Sequence, residues 1–129
     1  MLREISAVRQ DREDLRRRWF QDEYFDLFVW IAPDGGITAF QLAYDRGGKE
    51  RVLGWDRNAG YLHRHVDGGE ESVFQKMTPL LTGAGRFPRH AVIAQFDARS
   101  GGLEQGLRRF VRDKAARYRP LARRARGRG

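Results

Sequence analysis

The stretch from Tyr24 to Tyr44 constrains the fold more than any other part of the chain. In Tyr24–Ile31 (YFDLFVWI) the odd positions Phe25, Leu27, Val29 and Ile31 are all apolar. The even positions are Tyr24, Asp26, Phe28 and Trp30. A period-two run this rich in aromatic and branched residues predicts a strand with both faces at least partly covered, as in the middle of a sheet. Pro33-Asp34-Gly35-Gly36 follows, and glycine supplies the positive φ that a tight hairpin needs. The next run, Ile37–Tyr44, places Phe40, Leu42 and Tyr44 on one side and Ala39, Gln41 and Ala43 on the other. Two strands joined by a short turn pair antiparallel.

The pattern repeats downstream. Asp45-Arg46-Gly47-Gly48 is a second turn, Arg51–Trp55 a third strand, and Asn58-Ala59-Gly60 a further turn. Tyr61–Val66 is a fourth strand, closed by Asp67-Gly68-Gly69. Residues 2–18 leave two alternatives open. Leu2, Ile5, Val8, Leu15 and Trp19 loosely fit a helical stripe, and a short strand at Glu4–Arg9 fits nearly as well. The expectation is an antiparallel meander of four to five strands.

Beyond residue 70 the period changes. Ser72–Leu81 is irregular and Thr82–Arg86 reads as a loop. Pro88 suits the first turn of a short helix that turns Val92, Ile93 and Phe96 inward, and Ser100-Gly101-Gly102 breaks it. A second helix carries Leu103, Leu107, Phe110, Val111 and Tyr118 on one stripe. Pro120 disfavours helical geometry at Arg119 and ends it. Strands first and helices last give an α+β fold with two C-terminal helices on one face of the sheet. Residues 1–119 read as a single domain, and residues 120–129 as a basic tail with too little to bury, expected to be disordered.

A chain of 129 residues is long enough to close one core. It has no cysteine, which excludes disulfides, Cys-ligated zinc and thiol catalysis. The longest apolar stretch, Leu27–Pro33, is far short of the roughly 20 residues of a membrane span. Met1-Leu2-Arg3-Glu4-Ile5 has no apolar signal region, so a bacterial-type cytoplasmic protein is the expectation.

Charge is unevenly placed. Residues 1–102 hold 15 basic and 15 acidic side chains, whereas residues 103–129 hold ten basic ones against Glu104 and Asp113. The whole net charge of +8 therefore falls at the C-terminal end. Such a field attracts phosphate-rich or acidic partners, namely RNA, DNA or an acidic protein. Arg108, Arg109, Arg112, Lys114, Arg117, Arg119, Arg123, Arg124, Arg126 and Arg128 are the candidate contacts. The competing explanation is codon usage. All but three of the 25 basic residues are arginine, as a GC-rich genome produces, and the helix is then merely solvated.

One polar cluster has the residue types for chemistry. His63, His65 and Asp67 are spaced by two, so a strand turns them to one face. Two imidazoles and a carboxylate form a workable metal site. His63 or His65 with Asp56 or Asp67, and Arg57 or Arg64, also have the types for general acid–base cleavage of a phosphodiester. A polar, solvent-facing strand is the plainer alternative. Asp26 reads as a carboxylate facing an arginine across the sheet, with Arg16, Arg17, Arg18 or Arg51 as partners. Trp19, Phe20, Phe28, Trp30, Phe40, Tyr44 and Trp55 divide between core and a base-stacking surface, with core the favoured reading. Gly83-x-Gly85 lacks the lysine of a phosphate loop, and no Gly-x-Ser-x-Gly elbow occurs, so no cofactor is expected. A binding module leads, ahead of a small RNA-cleaving enzyme and of a homodimer paired through an exposed sheet edge.

FDLFVWIAPDGGITAFQLAYDRGGKERVLGW, with RHVDGGEE and MTPLL, resembles an uncharacterised family of short bacterial proteins. That resemblance implies no activity. Gly54-Trp55-Asp56-Arg57-Asn58 with His63-Arg64-His65 is similar to a segment of TumE-type toxins of toxin–antitoxin pairs. There asparagine directly follows aspartate, whereas here Arg57 intervenes. This second likeness implies an RNA-directed toxin.

Overall fold

The structure, a computed structural model, describes residues 1–66 and 85–120. Six strands follow one another across a single antiparallel sheet: β1 (Arg3–Ile5), β2 (Arg16–Gln21), β3 (Phe25–Ile31), β4 (Ile37–Tyr44), β5 (Arg51–Asp56) and β6 (Gly60–His65). Helices α1 (Arg89–Arg99) and α2 (Gln105–Ala116) come after them. The α+β order is as expected, but the sheet has six strands, not four to five. Asp67, the 72–81 stretch and the sequence from residue 121 lie outside the described residues.

The additional strands come from residues 2–18 and their continuation. β2 reads Arg-Arg-Arg-Trp-Phe-Gln, a run whose polarity masks its period. Arg18 lies on the helix side, with its guanidinium on Glu4 of β1 (2.7 Å) and on Glu104 (3.1 Å). Arg17 lies on the other side, over the Phe28 ring at 5.1 Å. Arginine stems cover apolar surface while their heads find partners, so these residues occupy strand positions that a hydrophobicity pattern assigns to loop.

Register stacks the apolar rows. Leu27 faces Leu42, Val29 faces Phe40, Leu42 faces Leu53 and Leu53 faces His63. Against that face α2 turns Leu107, Val111 and Ala115, and α1 turns Val92 and Phe96. These helix residues and the sheet rows form one buried cluster. Ser100 ends α1 through its N–H to the Phe96 carbonyl (2.9 Å), and its own carbonyl accepts from Leu103 (3.0 Å). The helices form an antiparallel hairpin. Arg112 of α2 meets Asp97 near the end of α1 (2.7 Å), and Arg89 at the start of α1 donates to the Tyr118 carbonyl beyond α2.

The opposite face carries a second aromatic group. Trp19 stacks on Phe28 with centroids 5.4 Å apart, and Trp30 Nε1 donates to Asp11 (3.1 Å). Asp26 takes its hydrogen bonds from the Trp19 indole and the Gln21 amide, where an arginine was expected. Register explains the difference: Asp26 pairs with Gln21, three residues beyond the end of the Arg16–Arg18 run. The aromatic set divides accordingly. Phe20, Phe40, Tyr44 and Trp55 join the core under the helices, and Trp19, Phe28 and Trp30 face away from it.

Candidate functional site

β6 places Tyr61, His63 and His65 on the helix side of the sheet, opposite Trp55, Leu53 and Arg51 respectively. The two histidines nevertheless differ in environment. His65 is exposed, whereas His63 is 6 % exposed and enclosed by rings. Tyr44 lies nearly parallel to it at 6.0 Å, with Phe87 at 5.3 Å and Tyr118 at 5.8 Å. His63 Nδ1 is 3.1 Å from the Gly85 carbonyl, and Nε2 is 2.7 Å from the Tyr44 hydroxyl. A carbonyl only accepts, so Nδ1 carries the proton and Nε2 accepts from tyrosine.

Burial is the main influence on both partners. It pushes His63 down to about 4, against the pull of the Gly85 carbonyl and with help from Arg51 and His65. It pushes Tyr44 up to about 12. Near neutral pH both are uncharged, and the pair is a buried polar clasp joining β4, β6 and the chain entering α1. A general base needs a pKa near the working pH and reach to a substrate. A metal ligand needs a free ring nitrogen. The His63 ring, with both nitrogens engaged inside the core, has neither.

Asp56 does not join it. Asp56 pairs with Gly60, so its side chain leaves the other face of the sheet from Trp55, and its Oδ1 accepts the N–H groups of Asn58 (2.8 Å) and Ala59 (3.0 Å). That role is a turn cap. Asp67 is outside the described residues. Among the described residues no three His, Asp or Glu side chains group as metal ligands. The sequence assigns Tyr44 to the aromatic set and Arg51 to Asp26, and places neither beside His63; Arg51 sits over the Tyr44 ring at 5.2 Å. Their link to His63 passes through two hairpin registers, and only the turn lengths hinted at those.

The helical layer holds the second candidate. Residues 1–66 carry eleven basic and eleven acidic side chains, whereas residues 85–120 carry nine against three. Each of those three acids already has an arginine: Asp97 has Arg112 (2.7 Å), Asp113 has Arg117 (3.2 Å) and Glu104 has Arg18 (3.1 Å). Arg108 donates to Ser100 Oγ (2.7 Å) and the Asp97 carbonyl (3.2 Å). Lys114 Nζ lies over the Trp55 ring at 4.4 Å. Of the ten expected phosphate contacts, then, Arg108, Arg112, Lys114 and Arg117 are held within the molecule. Arg109 and Arg119 are exposed and have no bonded partner among the described residues. Arg123, Arg124, Arg126 and Arg128 fall beyond residue 120.

Arg86 is a further exposed cation without such a partner, and it belongs to a cleft that the sequence did not announce. The cleft, about 630 Å³, lies between the start of α1 and the chain leaving α2, with Arg86, Phe87, Arg89, His90, Tyr118 and Pro120 along it. No signal short of the helix hairpin brings residues 86–90 beside 118–120. Among the described residues no helix is long and apolar enough to cross a membrane. Compared with protein-family models, with curated proteins and with solved structures, the chain matches none.

Proposed function

We propose that this protein is a nucleic-acid-binding module whose sheet is the scaffold and whose helical layer, with the arginine-rich sequence after it, contacts phosphates. The observation that carries this reading is the division of charge between the layers. The strand region is neutral, while residues 85–120 have a net charge of +6 and every acid there is already paired. Of the cations there, Arg86, Arg109 and Arg119 are exposed with no bonded partner among the described residues, and the sequence beyond Pro120 adds four arginines and no acid. Guanidinium groups without an internal acid are suited to bidentate contact with phosphate oxygens. Among the described residues, no observation around His63 favours a second, RNA-cleaving reading.

Fluorescence anisotropy with labelled single-stranded RNA and DNA tests the reading. Binding is expected at low salt, weakened severalfold when Arg109 and Arg119 are both changed to glutamate. Equal binding by wild type and that double variant contradicts it. So does binding to a polyglutamate peptide as tight as to nucleic acid, which points to an acidic protein instead.

A further inference from the structure

We infer that the cleft between the start of α1 and the end of α2 is a phosphate subsite, taking the terminal phosphate of a nucleic-acid strand held by the helical layer. The inference rests on the proposed function for the strand, and on the cleft itself for the phosphate. Three nitrogen-bearing side chains, Arg86, Arg89 and His90, line this space of about 630 Å³, and no described lining residue is acidic. Arg89 is fixed in place: its Nη2 donates to the Tyr118 carbonyl, and its Nε is shielded from water with no acceptor among the described residues. One guanidinium is thus oriented before any ligand arrives, as an anion site requires. Arg86 and His90 are exposed and form no bond to the rest of the chain among the described residues.

Charge selects the kind of phosphate. A backbone diester carries one negative charge, whereas a terminal monoester carries close to two at neutral pH and offers three acceptor oxygens. Two arginines with a neighbouring imidazole match the monoester better. Position agrees with this assignment, because the cleft is bounded by Tyr118 and Pro120, where the chain continues into its arginine-rich sequence. A strand lying along the cationic layer ends there with its phosphate in reach of Arg89. Phe87 and Tyr118 line the same cleft but are buried, so they shape its floor and offer no stacking surface to a base.

The test compares short single strands of one sequence bearing a 5′-phosphate, a 3′-phosphate or neither, by anisotropy. Inorganic pyrophosphate is titrated separately by calorimetry. Wild type is expected to prefer one phosphorylated end by about tenfold. The double variant Arg86→Gln, His90→Gln touches only exposed side chains and should fold. It is expected to bring the three strands to equal affinity, while its affinity for the unphosphorylated strand falls only by the loss of the single Arg86 contact, about threefold. Pyrophosphate should bind wild type and bind the double variant about tenfold more weakly. Equal affinity for all three strands, or a preference that survives in the double variant, overturns the subsite. If no strand binds while pyrophosphate binds wild type and not the variant, the nucleic-acid reading falls and the cleft stands as a site for a small phosphate compound.

Discussion

Lowering the pH from about 7.5 to about 5 should weaken the fold through one identifiable side chain. In the folded chain burial holds His63 at about 4, against an ordinary value of 6.5 that the unfolded chain regains. Between those values the unfolded chain binds a proton that the folded chain refuses. The stability tied to His63 is therefore complete above pH 6.5 and is lost as pH falls toward 4. At pH 5 the loss comes to about 2 kcal/mol, approaching roughly 3 kcal/mol below pH 4. Replacing His63 by phenylalanine removes the titration and keeps the ring stack. It also strands the Tyr44 hydroxyl, at a pH-independent cost of about 1–3 kcal/mol. Urea unfolding followed by tryptophan fluorescence at both pH values reads the difference. Glu4 and Asp97 are held below the ordinary carboxylate range by Arg18 and Arg112 respectively, and Asp22, against the upward push of burial, by the Phe25 and Tyr24 N–H groups and Arg99, so all three stay ionised at pH 5. Wild type should lose about 2 kcal/mol more than His63→Phe over this interval. Equal losses would refute the reasoning and show that the pocket accepts an imidazolium.

Three further perturbations test the packing. Tyr44→Phe leaves His63 Nε2 as a buried acceptor without its donor, and should cost about 1–3 kcal/mol in the same urea assay. Leu42 is wholly buried in the middle of the sheet, so Leu42→Ala should cost about 2–5 kcal/mol, with a lower thermal midpoint as the readout. Gly60→Ala adds a methyl that meets nothing within 4 Å, but φ there is +84°. It should lose about 1–2 kcal/mol of stability from backbone conformation alone, seen as a lower urea midpoint with an unchanged slope.

The central hairpin was legible because period-two hydrophobicity and a Gly-Gly turn act over a few residues, and β3 and β4 lie where Tyr24–Tyr44 placed them. The helices were legible for the same local reason: Pro88 precedes α1, and Leu107 and Val111 face inward at helical spacing. β2 was not, since Arg17 and Arg18 count as polar in any pattern yet are largely covered by Phe28, Glu4 and Glu104. The histidine spacing correctly put His63 and His65 on one face, but the burial of His63 depends on Phe87 and Tyr118, which arrive from distant segments. A strand pattern reports which side a residue faces, not what covers that side. Likewise the count of C-terminal arginines was readable, while their engagement was not. Arg112 and Arg117 are ion-paired, and Arg86 enters the surplus from outside the expected segment.

Salt dependence of affinity for a single strand decides whether the cationic surplus of the helical layer, with the arginine-rich sequence after it, binds nucleic acid. Arg86, Arg109 and Arg119 with the four arginines after Pro120 are seven candidate contacts to the backbone of an unphosphorylated strand. Each phosphate neutralised on a single strand contributes about 0.7 to the slope of log affinity against log salt. The full chain should show a slope of about −5, and a chain ending at Pro120 about −2. Ending at Pro120 keeps Tyr118, whose ring and carbonyl belong to the core. Equal slopes for the two chains, or an affinity that does not change with salt, would contradict the account.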